Sequence, residues 1–242
     1  MTKWSLWRGA AVALLLGAAV DARAMSLEKV NLVRLLRHAD AIVVGNVQRV
    51  SDGVGRNGLP YTEITVAIEE SLRGDLAGAY TFRQFGLLNP RRAADGARTL
   101  LPAPDAMPRY AAGERALLFL APAARITGLR STYGLGAGKF TFGPGRVENG
   151  MANAGLLAGV SVEASLKTGN DTRLLGTEVG AVNPEDFMSF VRRAVGERWV
   201  ETCRMWDAPE GRGCGQSRPA AGETGRRPAT AAGARLSKSE GR

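Results

Sequence analysis

The stretch Ala41-Ile-Val-Val-Gly-Asn-Val-Gln-Arg-Val50, followed by Tyr61-Thr-Glu-Ile-Thr-Val-Ala-Ile-Glu69, decides the fold class. The first is a β-branched run, whose side chains suit a pleated and half-buried surface. The second alternates, with Thr62, Ile64, Val66 and Ile68 on one side and Glu63, Thr65 and Glu69 on the other. A period of two belongs to a strand with one face on a core. Between them, residues 51–60 hold three glycines, an Asn-Gly pair and a proline, and predict a loop.

The same signals continue outward. Residues 79–85 predict a third strand, with Tyr80 and Phe82 on one face, and residues 114–120 a buried one ended by Ala121-Pro122. Residues 126–135 and 139–142 predict two more, with Gly134, Gly136 and Gly138 at the bend between them. Residues 156–166 suit a strand or a turn. Upstream, Leu27, Val30, Val33, Leu35 and Leu36 have helical spacing over 26–39, with Ser26 as N-cap and Glu28 in the first turn. Downstream, Asn183 and Pro184 open a second helix whose apolar face is Phe187, Phe190, Val191, Ala194 and Val195. Strands that succeed one another without intervening helices favour an antiparallel barrel or sandwich. The expectation is a mainly β domain over 25–200, with an N-terminal and a C-terminal helix.

The 242 residues carry 32 Lys+Arg against 23 Asp+Glu, a net charge of +9. Most of that sits at the two ends. Lys3 and Arg8 precede an apolar run over 9–20, and Ala22-Arg23-Ala24 closes it with small residues. That is the order of a secretory signal, with cleavage between Ala24 and Met25. The run is about 12 residues, short of the roughly 20 that cross a bilayer. Residues 216–242 are Ser, Pro, Ala, Gly, Thr and Arg with Leu236 as the one large apolar side chain, and predict a disordered basic tail. Such a tail is either weakly attracted to an anionic surface or a bland low-complexity extension. An exported domain of modest charge, its aromatics mostly in core-like positions, does not suggest nucleic-acid binding.

Export also gives the cysteines a meaning. Cys203 and Cys214 are the only two, and an oxidising compartment joins them across a flexible loop over 201–215. The crosslink is worth roughly 2–3 kcal/mol.

Catalytic signatures are scarce. One histidine, His38, makes every hydrolase scheme depend on a residue that fits a helix C-terminus. No G-x-S-x-G occurs, and Gly134-Leu-Gly-Ala-Gly-Lys139 is flanked by Tyr133 and Phe140 where a phosphate loop needs glycine and a hydroxyl. The pairs Glu69/Glu70 and Glu185/Asp186 fit a strand end and a helix start. No cofactor or metal site is expected. The long segment 86–113 carries Pro90, Pro102, Pro104 and Pro108, and its length marks it as functional or partly disordered. Its Arg91, Arg92, Arg98 and Arg109 suit a carboxylate, a phosphate or an acidic partner. With Arg56 and Asn57 of the 51–60 loop, they are the candidate partner-binding residues.

Five marks carry a resemblance: Ala39-Asp-Ala-Ile-Val-Val-Gly-Asn-Val47, Tyr61-Thr-Glu-Ile-Thr-Val66, Leu72-Arg-Gly74, Gly113-Glu-Arg-Ala-Leu-Leu-Phe-Leu120 and Gly138-Lys-Phe140. Together they resemble a pattern of uncharacterised exported bacterial proteins. The strand order over about 26–142 is similar to the netrin-like, OB-fold barrel of tissue inhibitors of metalloproteinases. In those inhibitors a lysine–glycine pair ends the second strand, where Arg73-Gly74 stands here. The resemblance implies an OB-like barrel that presents loops to a partner. It does not extend to zinc chelation, because the inhibitors begin with a cysteine and this chain's expected first residue is Met25. The expected function is therefore an exported, non-catalytic binding module, periplasmic or extracellular, contacting a secreted protease, another protein or an envelope polymer. An envelope-acting enzyme and a structural envelope component are the alternatives.

Overall fold

Strand β1 (Ala41–Val54) is the centre of the molecule. It pairs antiparallel with β2 (Pro60–Arg73) on one side and with β6 (Arg115–Leu120) on the other. A computed structural model describes residues 30–92, 96, 99, 100 and 102–210. The signal and cleavage positions Ala24 and Met25, Arg98, Cys214 and the 216–242 tail lie outside the described residues. Beyond β2 lies β3 (Ala79–Phe85), and beyond β6 lie β7 (Lys139–Gly143) and β8 (Arg146–Asn149), giving the order β3-β2-β1-β6-β7-β8. Two small two-stranded ribbons stand apart from this sheet. One joins β4 (Arg91–Arg92) to β5 (Thr99–Leu100), the other β9 (Val160–Val162) to β10 (Met205–Asp207).

The sheet is mainly β and antiparallel, as expected, but it is an open sheet and not a closed barrel. Its two outer strands meet other segments instead of each other. On β3, the Arg83 carbonyl accepts from Arg130 N (2.7 Å), and on β8, Val147 exchanges both backbone bonds with Val182 (2.9 and 3.1 Å). The segment expected as a strand over 126–135 supplies the first of these contacts as a turn, bridging β6 only at Leu120–Thr132. Gly134 and Leu135 there have left-handed φ, which a strand does not accommodate. Strands β4, β5, β8 and β10 carry no clear two-residue alternation and were not expected, whereas β9 falls within 156–166, the segment suited to a strand or a turn.

Hydrophobic cores fill both faces of the sheet. On one face Ile42, Val44, Leu117, Phe119, Phe140 and Val147 meet two helices, α1 (Leu32–His38) and α3 (Pro184–Gly196). On the other, Ala41, Val43, Ile64, Val66, Phe82, Leu118 and Leu120 pack on one another within the curl of β1, β2, β3 and β6. The curl follows from three irregularities in the β1–β2 register, at Ile42/Val43, Val44/Gly45 and Val47/Arg49. Gly45 sits in one of them: a Cβ there would lie 2.7 Å from Val66 Cγ1 and closer still to the Ala67 carbonyl oxygen. Close approach of backbones, not a turn, is what this glycine allows.

Helix α1 begins at Asn31, whose side chain accepts from Arg34 N (3.1 Å), inside the predicted 26–39 span; Ser26 lies outside the described residues. Its C-terminus is closed by Arg73. That guanidinium donates to the carbonyls of Leu36 and Ala39 and to Glu201 Oε1 (2.7 Å), so the end of β2 holds the helix on the sheet. Gly74 follows at φ +93, where a Cβ would meet Ala41 Cβ at 2.8 Å. Helix α3 starts as predicted: Asn183 Oδ1 accepts from Glu185 N (2.9 Å) and Asp186 N (3.0 Å), with Pro184 first. Arg192 clamps α3 to β2 through both oxygens of Glu70 (2.8 Å each). Helix α2 (Gly169–Leu175) is capped by Thr168 and Asp171, and Arg193 of α3 reaches Asp171 Oδ1 at 2.6 Å.

Two outcomes follow from these contacts. Gly45→Ala has no room without moving the β2 backbone and lowers stability by about 2–3 kcal/mol in urea denaturation. Asp171 is buried, which opposes its charge, yet the bonds from Arg193 and Thr168 outweigh burial and hold its carboxyl below the usual range. A depressed folded value stabilises the protein above the unfolded carboxylate value of about 4, and that contribution is lost as pH falls through the folded value. Asp171→Asn therefore lowers stability at neutral pH by about 2 kcal/mol and flattens the acid limb of a stability–pH curve.

Candidate functional site

The described parts of segment 86–113 are held to the sheet by contacts at Gly86–Leu88, at Ala103 and at Pro108. Gly86, at φ +98, lies so close to Ala103 that a Cβ would meet Ala103 N at 2.6 Å. Its carbonyl accepts from Thr62 Oγ1 (2.8 Å) and its N–H donates to Pro60 O (3.0 Å). Leu87 is fully buried, Ala103 N donates to Leu87 O (2.8 Å), and Gln84 Nε2 donates to Pro108 O (2.9 Å). Asp52 of β1 joins the 51–60 region to this segment, accepting from Leu88 N (2.8 Å) and pairing with Arg91. The two regions predicted to bind a partner are thus neighbours at one end of the sheet. Half of the first of them is strand: β1 runs to Val54, and the turn is confined to 55–59, where Asn57 Oδ1 accepts from Leu59 N (3.2 Å).

The predicted arginines divide between two places. Arg56 and Asn57 sit at the hairpin tip and line a shallow groove of about 390 Å³ with Tyr61, Arg83, Thr127 and Leu129. Arg91, paired with Asp52, and Arg92 lie on β4. Arg109 faces another opening, a cleft of about 330 Å³ between residues 105–109 and the β7–β8 hairpin. Its guanidinium pairs with Asp105 (3.3 Å) on the rim. Facing it across the cleft are Glu148, Asn149 and Met151, and Met107 lies on Arg109's own side.

Lys139 forms the floor, and sequence analysis had assigned it only to the start of a strand. Its side chain is nearly buried, with Nζ 2.7 Å from Glu114 Oε1, 2.6 Å from the Arg109 carbonyl and 4.9 Å from the centre of the Tyr110 ring. No local sequence signal marks it; the Gly138 before it packs too closely on the Tyr133 carbonyl to carry a Cβ. The wall beside it rests on a reciprocal pair of asparagines. Asn149 N donates to Asn153 Oδ1 (2.9 Å) and Asn153 N to Asn149 Oδ1 (2.8 Å). Asn153 Nδ2 binds the carbonyls of Val147 (3.1 Å) and Gly180 (2.9 Å), and Asn149 Nδ2 that of Ala137 (3.0 Å). Ala152 and Asn153 are left-handed to make this possible.

Behind residues 108–110 is a smaller pocket of about 150 Å³, lined by Thr62, Gln84, Leu87 and Tyr110 among others. Burial, with the Glu114 charge nearby, raises the Tyr110 phenol well above its ordinary value and keeps it neutral.

The remaining chemistry-bearing residues are elsewhere. His38 is exposed at the end of α1, its ring 4.9 Å from that of Tyr133. Burial, then Arg37 and Arg34, lower its pKa, so the imidazole is neutral at pH 7. Glu69 binds Arg115 (2.7 Å) and Glu70 binds Arg192, on different faces of β2. Cys203 lies past α3 at φ +64, and no described cysteine is free. Among the described residues no three His, Cys, Asp or Glu side chains cluster as metal ligands. The cleft therefore offers donors, acceptors and both signs of charge, with flexible methionine side chains, around a lysine already held by a carboxylate and a carbonyl.

No protein-family model, curated protein or solved structure matches the chain.

Lys139→Met leaves the Glu114 carboxylate without its cation and lowers stability by about 3 kcal/mol in urea denaturation. The double variant Lys139→Met/Glu114→Gln regains most of that loss. A double variant no more stable than the single one shows that the pair does not hold the floor.

Proposed function

We propose that this protein is an exported, non-catalytic binding module that holds a protein or an envelope polymer in the cleft under residues 105–109. The cleft itself is the observation that carries the proposal. It is a polar, partly apolar opening on the predicted binding segment, with its basic floor group neutralised internally. A secreted protease remains the partner suggested by the inhibitor resemblance. Export rests on the signal pattern over 1–24, and it goes with a Cys203–Cys214 crosslink past α3.

We further propose kinship with OB-type, netrin-like barrels. Three features support it: the β1-β2-β3 meander, the pairing of β1 with β6, and Arg73-Gly74 at the end of β2. The departure is the open seam between β3 and β8.

Capture from envelope extracts with the processed protein, read by mass spectrometry, tests the binding proposal. A reproducible partner is expected, lost in the variant Arg109→Glu/Met151→Asp, whose thermal unfolding stays unchanged because both side chains are exposed. Failure to recover any partner, or equal recovery by the variant, overturns the proposal.

A further inference from the structure

The hairpin end of the sheet carries a surface separate from the cleft. Six large apolar side chains are exposed among the described residues: Val54, Phe85, Leu88, Ile126, Met151 and Val179. The first four gather at this end. Val54 is at the hairpin, opposite Pro60; Phe85 pairs with Tyr61 across β2–β3; Leu88 is bound to Asp52. Ile126, 99% exposed, occupies the turn that reaches the same groove through Thr127 and Leu129.

That turn is rigid. Gly128 N donates to Ala124 O and Ala124 N to Leu129 O (2.8 Å each), and Arg130 anchors its base to Arg83 O (2.7 Å), Ala121 O (2.7 Å), Tyr80 Oη (2.8 Å) and Asp40 (2.6 Å). The isoleucine is thus presented outward on a braced support.

Charge gathers at the same end. Arg49, Arg56, Arg83, Arg91, Arg92 and Arg125 stand against Asp52 and Glu63, a net +4, whereas residues 25–215 total only +3. The rest of the domain is slightly negative, so the molecule is polarised. Glu63 is shared by Arg83 (2.7 Å) and Arg49 (3.8 Å), and Asp52 pairs with Arg91. Arg56 and Arg125, on the two neighbouring turns, make no ion pair among the described residues.

We propose that this end docks on an anionic phospholipid surface, with Ile126 entering the boundary of the acyl region and Arg56 and Arg125 meeting phosphates. Apolar side chains on turn tips flanked by guanidinium groups satisfy both layers of such an interface. A protein partner with an acidic patch would use the charges alone, whereas the apolar side chains spread over turn tips and strand ends beside Arg56 and Arg125 suit both layers of a lipid surface. The domain sits on the membrane and does not span it; no described helix is long and apolar enough to cross one.

Flotation of the processed protein with phosphatidylglycerol–phosphatidylcholine vesicles, against pure phosphatidylcholine vesicles, is the test. Strong partition to the anionic vesicles alone is expected. Ile126→Asp lowers it about tenfold. Arg56→Gln/Arg125→Gln lowers it about 25-fold, at roughly fivefold per arginine. The basic tail is the same in every variant, so equal partition of all three proteins assigns the attraction to the tail and overturns the proposal. Absence of partition to anionic vesicles overturns it too, as does a lipid-free protein complex that Ile126→Asp abolishes. Arg109→Glu/Met151→Asp leaves flotation unchanged, so this proposal and that of the cleft stand or fall separately.

Discussion

Strand β1 is buried on both faces along its first half, and the rest of the structure depends on that double burial. Ile42 and Val44 belong to the core under the helices, Ala41 and Val43 to the core within the curl. The register of β1 with β2 breaks three times while its register with β6 is continuous, so its two edges make different demands. The bulges between Ile42 and Arg49 resolve the conflict by letting β2 swing across β1 at Gly45, where only a bare Cα fits beneath Ala67. Every later element takes its place from that bend. Strand β2 ends where Arg73 can reach α1, and β6 pairs in unbroken register with Ala41–Asn46 on the other edge of β1.

Arginines do a second kind of joining, between layers. Arg73 ties β2 to α1 and Glu201, Arg192 ties α3 to β2, and Arg193 ties α3 to α2. Each places its guanidinium on a carboxylate or a helix-end carbonyl, the partners for which a planar fork is suited. The more exposed pairs, Arg73–Glu201 and Arg192–Glu70, add little stability singly, whereas Arg193 meets a buried Asp171. Their effect is on orientation: the helices of the first core cannot slide along the sheet without breaking several. The arginines at the hairpin end differ in this respect, for Arg56 and Arg125 are not used to join anything among the described residues.

Periodicity made the long strands and α3 legible in the sequence. Alternation in 61–69 and the Asn183-Pro184 start of α3 are local signals, and local contacts realised them. The sheet's openness was not legible, since it depends on Arg130 and Val182 meeting strand edges distant in the chain. The turn at 124–130 looked like a strand because Ile126 is apolar, and apolarity alone does not distinguish a core residue from an exposed one. Arginines on 86–113 suggested binding, but which of them shared a surface depended on Asp52 and on the Lys139–Glu114 pair. Lys139 itself was hidden: a lysine between two apolar neighbours reads as the solvent side of a strand, and its carboxylate partner is on another element.

The caps on the two sheet edges have a consequence for how the chain avoids self-association. Strand β3 is screened by a turn and β8 by the single bridge of Val182, so neither offers an extended ladder to another molecule. Both screens come from segments that follow β6 in the chain, one just after it and one just before α3. A chain still emerging, or one that has let go of either screen, therefore keeps much of its core while presenting an unpaired strand. The aggregation hazard of this fold belongs to that nearly complete state, and local opening at residues 124–130 or at Val182 creates it before any strand has left the sheet.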